Sequence, residues 1–151
     1  MTLEHGPGES RFHPEDNKHL EKHVPLGELI FLDRERCIQC ARCVRFQHDI
    51  VDDPVINFFN RGRSLEIRTF SDPGFDSIFS GNTTDICPVG ALTTADFRFG
   101  ARPWEMNRVS SICTHCAVGC NLTYNIRREA KSGGKNVIKR VMPRQNEQVN
   151  E

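Results

Sequence analysis

CIQCARC, residues 37–43, sets three cysteines at two-residue intervals and then stops. Thiolates so spaced reach neighbouring corners of a small metal centre, because the intervening backbone turns back and directs its N–H groups toward the sulfurs. The C-x2-C-x2-C pattern is more characteristic of a cubane iron–sulfur cluster than of zinc, whose sites usually pair two separate C-x2-C knuckles. Three thiolates leave such a centre one ligand short. Where the chain finds the fourth decides the fold around the motif and its chemistry.

In bacterial ferredoxins such a triplet is accompanied by a remote cysteine followed by proline, and this chain has one such dipeptide, Cys87-Pro88. In two-cluster ferredoxins, however, the Cys-Pro thiol serves the other cluster. A second triplet, Cys113, Cys116 and Cys120 in C-x2-C-x3-C spacing, lies beyond it. Cys87 stands between the two, so spacing alone leaves its partner open. The second triplet has Gly119 beside Cys120, where a close backbone approach to inorganic sulfur would exclude a side chain, and it has no obvious fourth cysteine of its own. His115 falls inside it, but its place between two ligands aims it away from their shared centre. Arg42 and Arg45 flank the first triplet and could stabilise an anionic cluster; solvation, or pairing with Asp and Glu, explains them equally well. Ile38, Val44, Ile86 and Val89 would exclude water around the proposed ligands.

The seven cysteines are odd in number, and a reducing compartment disfavours explaining them as disulfides. The 151 residues are only 37% hydrophobic, lean for a self-sufficient core, so a metal centre is expected to help hold the chain together. Twenty basic residues balance twenty acidic ones, which gives no reason to expect a nucleic acid or an anionic membrane as partner. No stretch approaches the roughly 20 apolar residues of a membrane span, and residues 1–22 are polar and His-rich rather than signal-like; a soluble, intracellular chain is expected. We find no nucleophile–base pair, no paired carboxylates in a plausible pocket and no Gly-rich phosphate loop, so the chemistry expected is electron transfer.

Residues 1–27, with four of the six histidines, read as an extended arm or linker. His19 and His23 could share one face of a helical turn, more readily a solvated or partner-facing turn than a zinc pair. LGELIFLD reads as a buried strand leading into the first triplet. VRFQHDIV has helical spacing of Val44, Phe46 or Gln47, and Ile50 or Val51. VINFF and SLEIRTF read as two strands joined by a turn containing Gly62, and DICPVGALTTADFRF as a turn followed by a short helix. Pro103-Trp104 marks a boundary, after which NLTYNI and NVIKRVM form a hairpin turned by Gly133-Gly134. The expected architecture is α+β: a ferredoxin-like [4Fe-4S] cluster subdomain at residues 28–103, then a cysteine knuckle and β-hairpin at 104–151.

HLEKHVPLGELIFLDRERCIQCARCVRFQ, FSGNTTDICPVGALTTADFRF, ARPWEM and SICTHCAVGCNLTYNIRREA together resemble the large iron–sulfur subunit, of the 75 kDa type, of respiratory complex I, NADH:quinone oxidoreductase. The resemblance runs from about residue 17 to the end. It implies that Cys37, Cys40, Cys43 and Cys87 ligate one [4Fe-4S] cluster on the electron path from flavin to quinone. It also implies that Cys113, Cys116 and Cys120 match the β-rich start of a molybdopterin-oxidoreductase-like domain, where some members hold another [4Fe-4S] cluster whose fourth cysteine lies further along. The [2Fe-2S] domain that precedes this region in the family is missing, so the chain looks like an internal fragment or split gene product. The implied partners are the flavin/NADH-binding and quinone-side iron–sulfur subunits of the hydrophilic arm, without nucleic acid or direct membrane insertion. The implied location is cytoplasmic, peripheral to the membrane through the complex. The rivals are the equivalent segment of an NAD-dependent formate dehydrogenase or hydrogenase subunit and, from another class, a zinc-stabilised structural module.

Overall fold

The computed structural model describes residues 2–9, 11–13, 15, 18–71 and 74–144. Parts of the expected arm, Asp72 and Pro73, and the end of the expected second domain therefore lie outside the described residues. The chain forms two compact units, residues 1–92 and 93–151. Pro103 and Trp104 open a short 3-10 turn inside the second unit.

In the first unit, after a single helical turn α1 (Thr2–His5), β1 (Val24–Pro25) pairs antiparallel with β2 (Ile30–Leu32), Val24 opposite Leu32. A bond from the Leu26 N–H to the Ile30 carbonyl at 3.0 Å closes the turn between them. Pro25 sits on the edge strand, where its missing N–H costs no ladder bond. On the other side of β2 lies β5 (Leu92–Thr94), at which the chain passes into the second unit. Lys18 to His23 are not helical: His19 faces Glu35 at 3.5 Å and His23 stacks on Phe31 with ring centres 4.1 Å apart. Both histidines are thus taken up by neighbours rather than paired for a metal.

β3 (Ile56–Phe59) and β4 (Glu66–Thr69) form the expected antiparallel pair, with a 3-10 turn over Gly62–Ser64. The half-buried Arg34, just past β2, bridges Glu66 of β4 at 3.2 Å and Glu21 of the arm at 3.4 Å. The core gathers the inward residues of these strands, Ile30, Leu32, Ile56, Ile67 and Leu92, around Phe75 and Leu26. Gly27 and Gly74 let two backbones touch there. A Cβ on Gly27 would collide with the Phe75 carbonyl and one on Gly74 with the Leu26 carbonyl, and the Phe75 N–H donates to Leu26 O at 2.7 Å.

The helix after Cys43 is α2 (Arg42–Arg45), which widens into a π-helical turn over Phe46–Ile50. Of the alternatives the spacing left open, Gln47 is fully buried and Phe46 half-buried, and Val51 is half-buried while Ile50 is 73% exposed. The short helix near Cys87 precedes that residue instead of following it. It is α3 (Ser80–Asp85), and the sequence after Cys87 makes a turn and β5. The Thr83 and Thr84 hydroxyls donate to the carbonyls of Phe79 and Gly81, a local bonding pattern that holds a sequence of low helix propensity in a helical turn.

The second unit is an antiparallel sheet of order β6-β7-β8, with β6 at Asn107–Ile112, β7 at Asn121–Glu129 and β8 at Lys135–Pro143. The hairpin β7–β8 turns through Gly133 and Gly134, both with positive φ, as their sequence requires. A register shift between Asn125 and Ile126 marks a bulge. Asn125 is the one residue of this unit that is buried among the described residues.

Candidate iron–sulfur site

Asp33 turns the chain out of β2, its Oδ1 accepting from the N–H groups of Glu35 and Arg36 at 3.1 and 3.3 Å. The cysteine loop then winds tightly, with Gln39 and Ala41 at φ 55° and 63° on either side of Cys40. Left-handed backbone at two non-glycine residues stores strain of the kind that clusters at ligand-binding loops. Its effect is local: the Gln39 N–H faces the Cys37 sulfur, and the Val44 N–H faces that of Cys43. α3 and the turn after it carry Cys87 to the same place, held by the Cys87 N–H donating to Thr84 O at 3.2 Å.

Cys37, Cys40, Cys43 and Cys87 line one recess of about 330 Å³, its open mouth included. Leu32, Ile38, Ile67, Val89 and Leu92 supply apolar walls, and Arg42 reaches its edge. The thiols lie at graded depths: Cys43 is buried in the core, Cys37 and Cys87 are half-buried, and Cys40 is exposed. Burial pushes the Cys43 thiol up to about 11 and raises that of Cys37, and the neighbouring thiols push in the same direction. An apolar recess cannot hold several thiolates without a compensating cation, so this donor set suits a metal centre. Among the described residues no three His, Cys, Asp or Glu side chains converge as a single-ion site, while the four thiols line one recess.

Of the flanking residues, Arg45 pairs with Asp49 at 3.7 Å on the surface. Ile86 lines a separate open groove with Phe46 and Ile50, and Val44 packs against the core. The sequence offered Gln47 as an alternative to Phe46 for the inward position, and its place four residues after Cys43 puts it on that ligand's own helix face.

The second triplet occupies the loop between β6 and β7. The Cys113 N–H donates to Cys120 O at 2.8 Å, closing the loop where Ile112 pairs with Asn121. Cys113 is half-buried, Cys116 and Cys120 are exposed, and His115 is exposed beside them. Gly119 has φ 64° and lies against the Ile112 side chain. Cys87 lines the first recess, in the other unit, and these three cysteines have no fourth thiol in their own unit.

The model of the ferredoxin-like domain of NADH-quinone oxidoreductase subunit 3 matches residues 27–93, which contain the whole of the four-thiol recess. Subunit 3 of the NADH-quinone oxidoreductase of Thermus thermophilus is 49% identical over 110 residues, 73% of this chain and 14% of that protein. The G-type subunit of the NADH-quinone oxidoreductase of Streptomyces coelicolor is 43% identical over 128 residues, 85% of this chain and 15% of the relative. The mitochondrial NADH-ubiquinone oxidoreductase 78 kDa subunit of Neurospora crassa is 39% identical over 151 residues, the full chain and 19% of the relative. The chain thus spans less than a quarter of the length of the curated relatives it matches. These likenesses do not favour the formate dehydrogenase, hydrogenase or zinc-module readings. Residues 27–93 form a ferredoxin-like domain, and the chain belongs, over the segment it spans, to the family of the NADH-quinone oxidoreductase subunit named 3 or G.

Proposed function

We propose that the chain is an electron-relay segment of an NADH:quinone oxidoreductase, with Cys37, Cys40, Cys43 and Cys87 holding one [4Fe-4S] cluster. The observation that carries this is the shared recess, in which a thiol from the α3 segment meets three from the cysteine loop. When bound, such a cluster supplies a one-electron couple whose potential follows its net charge, hydrogen bonds and exposure. The chain's own residues bind, orient and dry it. The Gln39 and Val44 N–H groups point at the sulfurs of Cys37 and Cys43, and Leu32, Ile67 and Leu92 keep water from one side. Arg42 places a cation at the edge. The relay runs from the flavin side toward quinone, among the other subunits of the hydrophilic arm at the cytoplasmic face of the membrane. No helix among the described residues is long and apolar enough to cross a membrane, in keeping with that placement.

The β6–β8 sheet and its loop are read as the start of a molybdopterin-oxidoreductase-like domain. Cys113, Cys116 and Cys120 offer three ligands to a second cluster, which requires a fourth from outside this segment.

The test is anaerobic reconstitution of the chain with iron and sulfide, comparing wild type, Cys87→Ala and Cys116→Ala by iron and sulfide content and by EPR after dithionite. The main reduced-cluster signal is expected to disappear in Cys87→Ala and to persist in Cys116→Ala. Zinc in place of iron, or an unchanged signal in Cys87→Ala, refutes the assignment.

A further inference from the structure

The two segments that bring the thiols together are joined a second time, away from the recess. Gln47 lies four residues after Cys43 and Thr83 four residues before Cys87, and both side chains have 0% exposure. Gln47 Nε2 donates to Thr83 Oγ1 at 2.6 Å, and Thr83 Oγ1 donates onward to the Phe79 carbonyl at 2.9 Å. The Gln47 backbone is fixed as well, its carbonyl accepting from the Asp53 N–H at 2.9 Å past the π-helical turn.

A buried glutamine needs a reason. Its amide loses water on burial, and methionine would fill a similar volume without that cost. Gln47 is not fully served either, because its Oε1 has no hydrogen-bond partner. What the amide provides, and a methionine would not, is a directional tie between the helix that starts at the triplet and the helix that ends at the lone thiol. Cys37, Cys40 and Cys43 are neighbours in sequence, whereas Cys87 must be brought in from a distant segment at the entropic cost of closing a long loop.

We infer that Gln47 and Thr83 form a positioning latch for the fourth ligand. The hydrogen bond offsets part of that closure cost before any cluster is present and helps preform the four-thiol recess. It then holds Cys87 in register when the centre is loaded. π-helical turns frequently mark functional positions, and Gln47 lies in the first part of this one. This inference rests on the four-cysteine cluster reading and deepens it.

The experiment uses the full chain, anaerobically reconstituted, as wild type, Thr83→Val, Gln47→Met, the double variant, Thr83→Ser and the core-trimming control Ile56→Val. The readouts are the rate of cluster loss to a ferrous-iron chelator and the EPR line shape after reduction. Circular dichroism of the unloaded chains checks folding. Thr83→Val and Gln47→Met are expected to lose the cluster about tenfold faster, the scale of one buried hydrogen bond, and to broaden the reduced signal. The double variant should be no worse than the worse single one, because both remove one interaction. Thr83→Ser, which keeps the hydroxyl, should behave like wild type, and Ile56→Val should leave the line shape unchanged. Strictly additive losses overturn the latch, as do Gln47→Met and Thr83→Val rates equal to that of Ile56→Val. If Thr83→Val does not fold, Gln47→Met and Thr83→Ser decide the question by the same criteria. A wild-type chain that takes up no iron and sulfide overturns the cluster reading itself; a loaded wild type with indistinguishable variants overturns the latch alone.

Discussion

Gly27→Ala is a small change with a calculable effect. The methyl group it adds would overlap the Phe75 carbonyl oxygen and come within 2.9 Å of the carbonyl carbon and 3.0 Å of the nitrogen of the same residue. These are backbone atoms, so no side chain can swing aside, and the two segments must separate by half an ångström or more. Separation weakens the 2.7 Å bond from the Phe75 N–H to Leu26 O, a contribution of about 1 kcal/mol. It also loosens Phe75, which has 0% exposure, and overpacking a filled core costs about 1–3 kcal/mol. Against this, alanine restricts the unfolded chain and returns about 0.4–1 kcal/mol. The net destabilisation expected is about 1–3.5 kcal/mol. Urea unfolding followed by circular dichroism reads it directly, and Gly81→Ala is the matched control: that glycine is inside α3 and its added Cβ meets nothing within 4 Å. The control should be neutral or stabilise by up to about 1 kcal/mol. A Gly27→Ala chain within about 0.5 kcal/mol of wild type, the ordinary range of surface changes, would refute the packing argument.

Arg34→Met removes the half-buried cation shared by Glu66 and Glu21; Arg68 still reaches Glu66 at 2.6 Å. Urea unfolding should show a loss of about 1–3 kcal/mol, smaller than for a fully buried pair because one carboxylate partner remains satisfied and the other is exposed. Lys139 bonds Glu129 at 2.6 Å across the β7–β8 hairpin, and that bond holds the Glu129 carboxyl below its usual range. With the folded value below the unfolded one, the pair's contribution is complete above the unfolded value and fades as pH falls through the folded value. Glu129→Gln should therefore lower stability in the neutral region, where the pair is complete, converge on wild type at acid pH, and so flatten the acid limb of a stability–pH curve. In the reconstituted chain, Cys116→Ser should retain the main reduced-cluster EPR signal, and Cys43→Ser should abolish it.

The sequence disclosed those elements whose local chemistry agrees with their surroundings. β3 and β4 are rich in β-branched and aromatic residues around a glycine turn, and Gly133-Gly134 supplies the positive φ of the last hairpin. α3 escaped notice because SGNTTD is a poor helix former; its turn depends on threonine hydroxyls and on Gln47, which belongs to a distant part of the chain. β6 was also missed, since NRVSSI lies largely exposed and lacks the alternation that burial of one face imposes. The triplet itself was plain and the Cys87-Pro88 dipeptide offered a fourth ligand, but its meeting with this triplet is a long-range contact that spacing cannot encode, and only the resemblance chose between the two triplets. Gln47 was offered only as an alternative to Phe46, because a polar residue in an amphipathic pattern is ordinarily assigned to solvent.

The graded depth of the four thiols has a chemical consequence. In the proposed cluster, Cys43 in the core would anchor one corner and Cys40 at the surface would leave another open. Oxygen and chelators would meet the exposed corner first, so damage would be expected to begin at Cys40. The same corner would be the one nearest an electron donor or acceptor in solvent. A partner seated over Cys40 would therefore shield the perishable corner and complete the circuit in a single contact.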